Sequence, residues 1–136
     1  MSEENVDAIK RGIEAWNADD LEAFLALCDA DIEWYPSIEP GLEGKTTVLR
    51  GHDDLLRAWR EYRGEAWERL TMRPQEFRDL GGSVLVLGQM ELTARTTGIE
   101  FSQDIGQLFE FRKGKIVRVR DFLTHAKALE AAGLSE

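Results

Sequence analysis

The sequence predicts an α+β domain, and three observations carry that reading. Apolar residues recur at helical spacing near the start, at Val6, Ile9, Ile13 and Trp16. From about Leu70 to Phe122 the chain reads as long strands punctuated by Gly81-Gly82, Thr96-Thr97-Gly98 and Lys113-Gly114, with apolar residues at period two at Ile105, Phe109 and Phe111. The longest such stretch, Phe101 to Phe122, reads as two strands around a tight Lys-Gly turn, because Gly supplies the positive φ that a two-residue hairpin turn needs. Helices first and a meander of long strands afterwards argue for helices segregated on one face of an antiparallel sheet. No repeat or linker divides the chain, so residues 1–136 read as one domain.

The first helix runs from about Glu3 to Trp16. Glu3 and Glu4 sit in its first turn and Lys10-Arg11 further on, a favourable order for the helix dipole. Asn17-Ala18-Asp19 breaks the pattern. Asp19 is placed to cap a second helix, with Glu22 three residues later, and Leu21, Phe24, Leu25 and Cys28 mark its buried stripe. Ile32 to Tyr35 is a short strand that Pro36 stops. Residues 36–51 hold two prolines and three glycines, and read either as a flap over a cavity mouth or as a surface excursion. A third helix opens near His52, carries Leu55, Leu56, Trp59 and Tyr62 on its stripe and ends at Gly64. Leu70 to Asp79 is a strand whose Pro74 demands an edge position or a bulge. Ser83 to Arg95 is the next, followed by the central hairpin. Thr124 caps a last helix, HAKALEAAG, with Gly133 as its stop and Leu134 placed to pack back.

At 136 residues the chain can bury a core without staples; domains of this size bury roughly 68% of their unfolded surface. A net charge of −9 repels nucleic-acid phosphates and anionic membranes, so neither is expected as a partner. Arg112, Lys113, Lys115, Arg118 and Arg120 form a local basic cluster that reads as a solvated face or an ion-pair network. The one cysteine, Cys28, behaves as a small hydrophobe. No apolar h-region opens the chain and no apolar run approaches 18 residues, so a cytoplasmic protein is expected.

His52 and His125, the two histidines, lack carboxylate neighbours at ligand spacing, and no nucleophile signature or phosphate loop is present; no metal or cofactor is expected. Carboxylate chemistry in an apolar setting remains. A buried Asp has its pKa raised by desolvation and can exchange protons near neutral pH. Asp121 and Asp104 are the candidates, with Glu91 behind them. Asp121 has structural alternatives: an ion pair with Arg118 or Arg120, or a cap of the last helix. Asp104 has one too, as a solvent-facing strand residue. Gln103 and Gln107 share the phase of Phe109 and Phe111, whereas Asp104 does not; a bulge near Gly106 would reverse that assignment. His125 follows the last strand, either at a cavity rim or exposed. Tyr35 alternates with Trp34, so one of the two faces the interior. Trp16, Trp34, Trp59 and Tyr62 lie on stripes that serve as core or as walls for a flat ligand.

The pieces AWNADDLEAFLALCDADIEWYP, LRGHDDLLRAWREY, FEFRKGKIVRVRDF and HAKALEAAGL, in that order, resemble the SnoaL-like polyketide-cyclase branch of the nuclear transport factor 2-like superfamily over nearly the whole chain. The resemblance implies a cone-shaped fold, a strongly curved sheet wrapped around the N-terminal helices with one deep, mainly apolar pocket. It also implies a homodimer packed through the sheet. The superfamily holds cyclases, isomerases, hydrolases, dehydratases and proteins that only bind. In the cyclases an Asp near the end of the strand after the GKI turn is the acid/base, and Asp121 stands at the matching position. The aromatic residue and the His that usually precede it are replaced by Arg120 and Val119. The function expected is small-molecule binding, as a cofactor-free acid/base enzyme of aldol-cyclase or isomerase type acting on a small hydrophobic carbonyl compound. Asp121 is then catalytic; Tyr35, Trp34, Trp59, Tyr62, Gln103, Asp104, Gln107 and His125 bind, and Gln107 or Tyr35 steadies the enolate oxygen. A non-catalytic ligand-binding or dimeric interaction protein of the same fold is the alternative.

Overall fold

A computed structural model describes residues 2–36 and 48–134. Helix α1 (Ser2–Asn17) and the short helix α2 (Leu21–Leu25) open the chain, followed by strands β1 (Cys28–Tyr35) and β2 (Leu49–Arg50). Helix α3 (Gly51–Glu61) then runs into a wider π-helical turn (Tyr62–Ala66). Strands β3 (Trp67–Asp79), β4 (Ser83–Ala94), β5 (Glu100–Arg112) and β6 (Lys115–Phe122) come next, and helix α4 (His125–Ala131) closes the chain. The six strands form one sheet in the order β2-β1-β6-β5-β4-β3. All neighbours are antiparallel except β1 and β6, which run parallel. The α+β architecture is therefore the one expected from the sequence. No helix among the described residues is long and apolar enough to cross a membrane.

Several elements differ from expectation, each for a local reason. Helix α1 ends in a Schellman arrangement: the Asp20 N–H reaches the Ala15 carbonyl at 2.8 Å and the Asp19 N–H that of Trp16 at 3.1 Å, with Asp19 left-handed at φ 57°. The cap of α2 is consequently Asp20, whose carboxylate accepts from the Ala23 N–H, and not Asp19. Helix α2 stops at Leu25, so Cys28 belongs to β1 instead of the helix stripe. It is buried there, and burial pushes its thiol up to about 12, leaving it protonated. Gly64 lies inside the π turn rather than ending α3. The loop expected over residues 36–51, as a flap or a surface excursion, falls for 37–47 outside the described residues, and its last three residues belong instead to β2 and the start of α3.

Pro74 satisfies both conditions it set. Strand β3 is a sheet edge, and its register with β4 shifts between Pro74 and Glu76. Lys113 and Gly114 both take positive φ, 52° and 78°, as a two-residue turn with the twist of its strands requires. Thr124 accepts from the Lys127 N–H at 3.1 Å, and the Leu134 N–H bonds the Leu129 carbonyl beyond Gly133.

The helices do not all share one face. Val84, Val86, Ile105 and Phe109 point toward α1, α2 and α3 in the main core. Leu85, Leu87 and Leu108, of opposite parity, form a second core with Ala128 and Leu129 of α4. Burial on both faces explains why 84–88 and 105–109 lack alternation. Helix α4 lies so close to β5 that a Cβ on Gly106 would stand 2.3 Å from the Ala128 Cβ. Gly106→Ala should therefore overpack the second core and lower stability by about 2 kcal/mol. Ala128→Gly in the same chain should recover part of the loss. Thermal melts of the two single variants and the double variant check this.

Candidate functional site

The site is built where three strands are brought into register. Strand β6 carries a bulge: Glu110 pairs with Arg118 but Phe111 pairs with Ile116, which leaves Val117 as the extra residue. Ile116, Val119 and Asp121 therefore all face the main core, while Arg118 and Arg120 face away. On β5, Gln107 is directly opposite Asp121. On β1, Trp34 pairs with Val119 and its indole reaches along β6 to the same carboxyl.

Asp121 is 8% exposed and Gln107 7%. The indole N–H of Trp34 donates to Asp121 Oδ2 at 3.0 Å, and the Gln107 amide Nε2 donates to Oδ1 at 2.9 Å. The arginines that could have neutralised Asp121 pair elsewhere, Arg118 with Glu110 at 3.3 Å and Arg120 with Glu110 at 3.7 Å. Among the described residues no cation pairs with Asp121. Burial pushes its carboxyl from 3.8 up to about 6, against the opposing pull of the bonds from Trp34 and Gln107.

Four elements surround this acid with rings. Trp16 of α1, Phe24 of α2, Trp34 of β1 and Trp59 of α3 pack with ring centroids 4.6–6.4 Å apart. Arg63 lies over Trp16 and Trp59, at 5.0 and 5.3 Å from their centroids. Asp19 accepts the Trp59 indole N–H and stands 3.5 Å from Arg63 Nε, so the left-handed residue between the first two helices ties α3 to them.

Two small cavities, each about 60 Å³, meet at this cluster. Both are lined by Trp16, Phe24, Trp34 and Asp121. The first continues into aliphatic walls that include Ile9, Met72, Met90 and Ile105, with Gln107 beside the acid. The second continues toward Leu55, Trp59 and Tyr62.

The structure thus brings Asp121, Trp34 and Gln107 into contact, with Trp59 and Tyr62 on the wall of the second cavity. It places the remaining candidates elsewhere. The β4–β5 register is unbroken from Ser83–Glu110 to Thr93–Glu100, so no bulge at Gly106 turns Asp104 inward. Asp104 is exposed and accepts from Gln89. The Gln103 amide is spent on the carbonyls of Leu123, at 3.2 Å, and Asp104, at 3.3 Å. The Tyr35 hydroxyl donates to Glu33 at 3.2 Å, because the residue after Trp34 must face the other way. His125 lies at the start of α4, its Nε2 2.9 Å from the Gly88 carbonyl oxygen. Glu91 is held by Arg69 and Arg73 at 3.0 and 3.7 Å. Phe24, Met72 and Met90 line the cavities without having been singled out; only their place on apolar stripes hinted at it. Among the described residues no cluster of His, Cys, Asp and Glu could hold a metal ion.

The profile of the SnoaL-like domain matches residues 9–119. The chain belongs to the SnoaL-like domain family. Asp121 lies two residues past the matched segment. Solved structures agree on the fold. A nuclear transport factor 2-like protein of unknown function from Burkholderia pseudomallei K96243 is 23% identical, with a TM-score of 0.77 over 93% of this chain and 95% of that one. TerC, co-crystallised with polyporic acid, is 24% identical, with a TM-score of 0.76 over 93% and 96%. A protein from Xanthomonas campestris pv. campestris, provisionally assigned as a polyketide cyclase, is 18% identical, with a TM-score of 0.75 over 93% and 94%. None of the curated proteins matches the chain.

The two donors to Asp121 lower its pKa, so removing one should raise it. Trp34→Phe keeps a ring in place and deletes the N–H; the Asp121 carboxyl should then titrate above the wild-type value of about 6. A ¹³C NMR titration of the aspartate carboxyls reads the change.

Proposed function

We propose that this SnoaL-like domain binds a small hydrophobic molecule against Asp121 and exchanges protons with it as a cofactor-free acid/base enzyme. The reaction class is proton abstraction beside a carbonyl, as in aldol cyclisation or isomerisation. The observation that supports it is a buried carboxyl that pairs with no cation among the described residues, held by two neutral donors on a wall shared by two mainly apolar cavities. An acid with a pKa of about 6 is ionised in most molecules at neutral pH, yet is basic enough to take a proton and return it. Gln107 suits both states. Its Nε2 donates to the carboxylate, and turning the amide over offers Oε1 to the protonated acid. Co-crystallisation of TerC with a small molecule lends the same support to a ligand in this fold. We further take the protein to act as a cytoplasmic homodimer packed through the sheet.

The competing reading is a non-catalytic binding or interaction protein. The mutual packing of Trp16, Phe24, Trp34 and Trp59 favours it, since rings that fill the interior leave little room.

The Asp121→Asn variant separates the two. The folded-state pKa lies above the unfolded one, so the native chain holds this proton more tightly than the unfolded chain. The resulting stability is complete below about pH 4 and is lost as the pH rises through about 6. The shift from 3.8 to about 6 corresponds to about 3 kcal/mol. Asp121→Asn should therefore melt several degrees above wild type at pH 7.5, and the gap should close as the pH falls to 4.5. A variant that melts below wild type at pH 7.5 would make Asp121 an architectural residue and move the weight to the binding protein.

A further inference from the structure

The two cavities that meet at Asp121 differ in chemistry. Beyond the shared rings the first is mainly aliphatic, lined by Ile9, Ile13, Met72, Met90, Ile105 and Ile116 with one further ring, Phe109, and its other polar side chain, Gln107, already bonds Asp121. The second is the more aromatic, adding Trp59 and Tyr62 to the shared Trp16, Phe24 and Trp34, beside Leu49, Leu55 and Ala58. The donors along these walls are mostly engaged. Trp34 Nε1 holds Asp121 and Trp59 Nε1 holds Asp19. Trp16 Nε1 has no partner but also almost no surface that water can reach. The Tyr62 hydroxyl remains. It forms no hydrogen bond with any described residue, and the residue is 37% exposed at the edge of the aromatic cavity.

The backbone singles out the same residue. Tyr62 is where α3 gives way to the π turn: its N–H bonds the Ala58 and Trp59 carbonyls, and its own carbonyl accepts from Trp67, five residues on. Such widened turns recur at functional sites, because they re-aim the side chains around them. Trp59 and Tyr62, three residues apart, thereby line one cavity with the acid. Burial first, then the charges of Asp121 and Glu61, raise the Tyr62 pKa, so the hydroxyl keeps its proton at neutral pH.

We propose that Tyr62 donates the hydrogen bond that receives the ligand's oxygen, and that the ligand is an aryl alkyl ketone in build. Its ring lies in the aromatic cavity, its chain in the aliphatic one and its carbonyl between Asp121 and Tyr62. This rests on the reading of the site given above, and it moves the oxygen-binding role from Gln107 and Tyr35, which are committed to Asp121 and Glu33, to Tyr62. In the reaction, the Asp121 carboxylate takes a proton from the carbon next to the carbonyl. The C–H electron pair forms the C=C bond of an enolate, the carbonyl π pair moves onto oxygen, and the Tyr62 O–H bonds that oxygen without transferring its proton. Asp121 then returns the proton to carbon, so no oxidant or reductant is needed.

The test compares butyrophenone with 2-phenyl-1-pentene, which replaces the carbonyl oxygen by CH2 and keeps the shape. Binding is followed by tryptophan emission in wild type and in Tyr62→Phe. Wild type should bind the ketone about five- to tenfold more tightly than the alkene, the advantage of one hydrogen bond. Tyr62→Phe should reduce the ketone to the level of the alkene, leave alkene binding within twofold, and leave the melting temperature unchanged, since the hydroxyl has no partner to lose. Equal binding of the two probes by wild type, or a ketone preference that survives in Tyr62→Phe, overturns the role of Tyr62 and leaves the acid at Asp121 standing. If neither probe binds wild type, the aryl ketone class falls. Whether the reading of the site falls with it is then decided by the pH-dependent melts of Asp121→Asn.

Discussion

A carboxyl group sits inside this protein with no positive charge paired to it among the described residues. Asp121 keeps its place through two neutral donors, the Trp34 indole and the Gln107 amide, one to each oxygen. Neutral hydrogen bonds compensate only part of the cost of taking a charge out of water, which is why burial dominates and the acid is pushed up to about 6. The arrangement requires strands that are not neighbours in sequence to be in register. The parallel pairing of β1 with β6 brings Trp34, the antiparallel pairing of β5 with β6 brings Gln107, and the bulge at Val117 sets the inward phase of Asp121. A slip of one residue in β6 would put Arg120 in the core and Asp121 outside it.

The aromatic cluster belongs to the same construction. One ring from each of α1, α2, β1 and α3 meets beside the acid, so the walls of the cavities are also the joint between helices and sheet. Asp19 and Arg63 lock that joint from the side. Asp19 adopts a conformation disfavoured for a residue with a Cβ, and bonds Trp59 while facing Arg63. Arg63 is part-buried, which lowers its pKa, and Asp19 counters the effect. Arg63 is thus engaged at the joint, over the faces of two tryptophans, and among the described residues Asp121 is left to its neutral partners.

The SnoaL-like family supplies a fold on which different chemistries are placed, so function must be argued from the site. Here the site joins one buried acid with a raised pKa to two mainly apolar cavities, with a hydroxyl at the edge of the more aromatic one. The proposed enolate chemistry would use the acid as base and the hydroxyl as donor to the developing oxygen charge.

Much of this was legible in the sequence. Period-two spacing and the Lys113-Gly114 turn reveal the central hairpin, Pro74 calls for an edge or a bulge, Thr124 and Gly133 bound the last helix, and the parity of Gln107 against Asp104 separates the residue that faces the core from the one that does not. Local chemistry determines these features, because each depends on a few adjacent residues. The cap of α2 was less legible, since Asp19 and Asp20 are equally good caps until the Schellman turn selects between them. What only the tertiary structure decided is which groups meet. Arg118 and Arg120 stood closer in sequence to Asp121 than any other cations, yet strand alternation turned them to the opposite face, toward Glu110. Trp34, 87 positions away, became the partner instead. The state of a buried charge depends on neighbours in space, and those neighbours were set by strand order, register and one bulge.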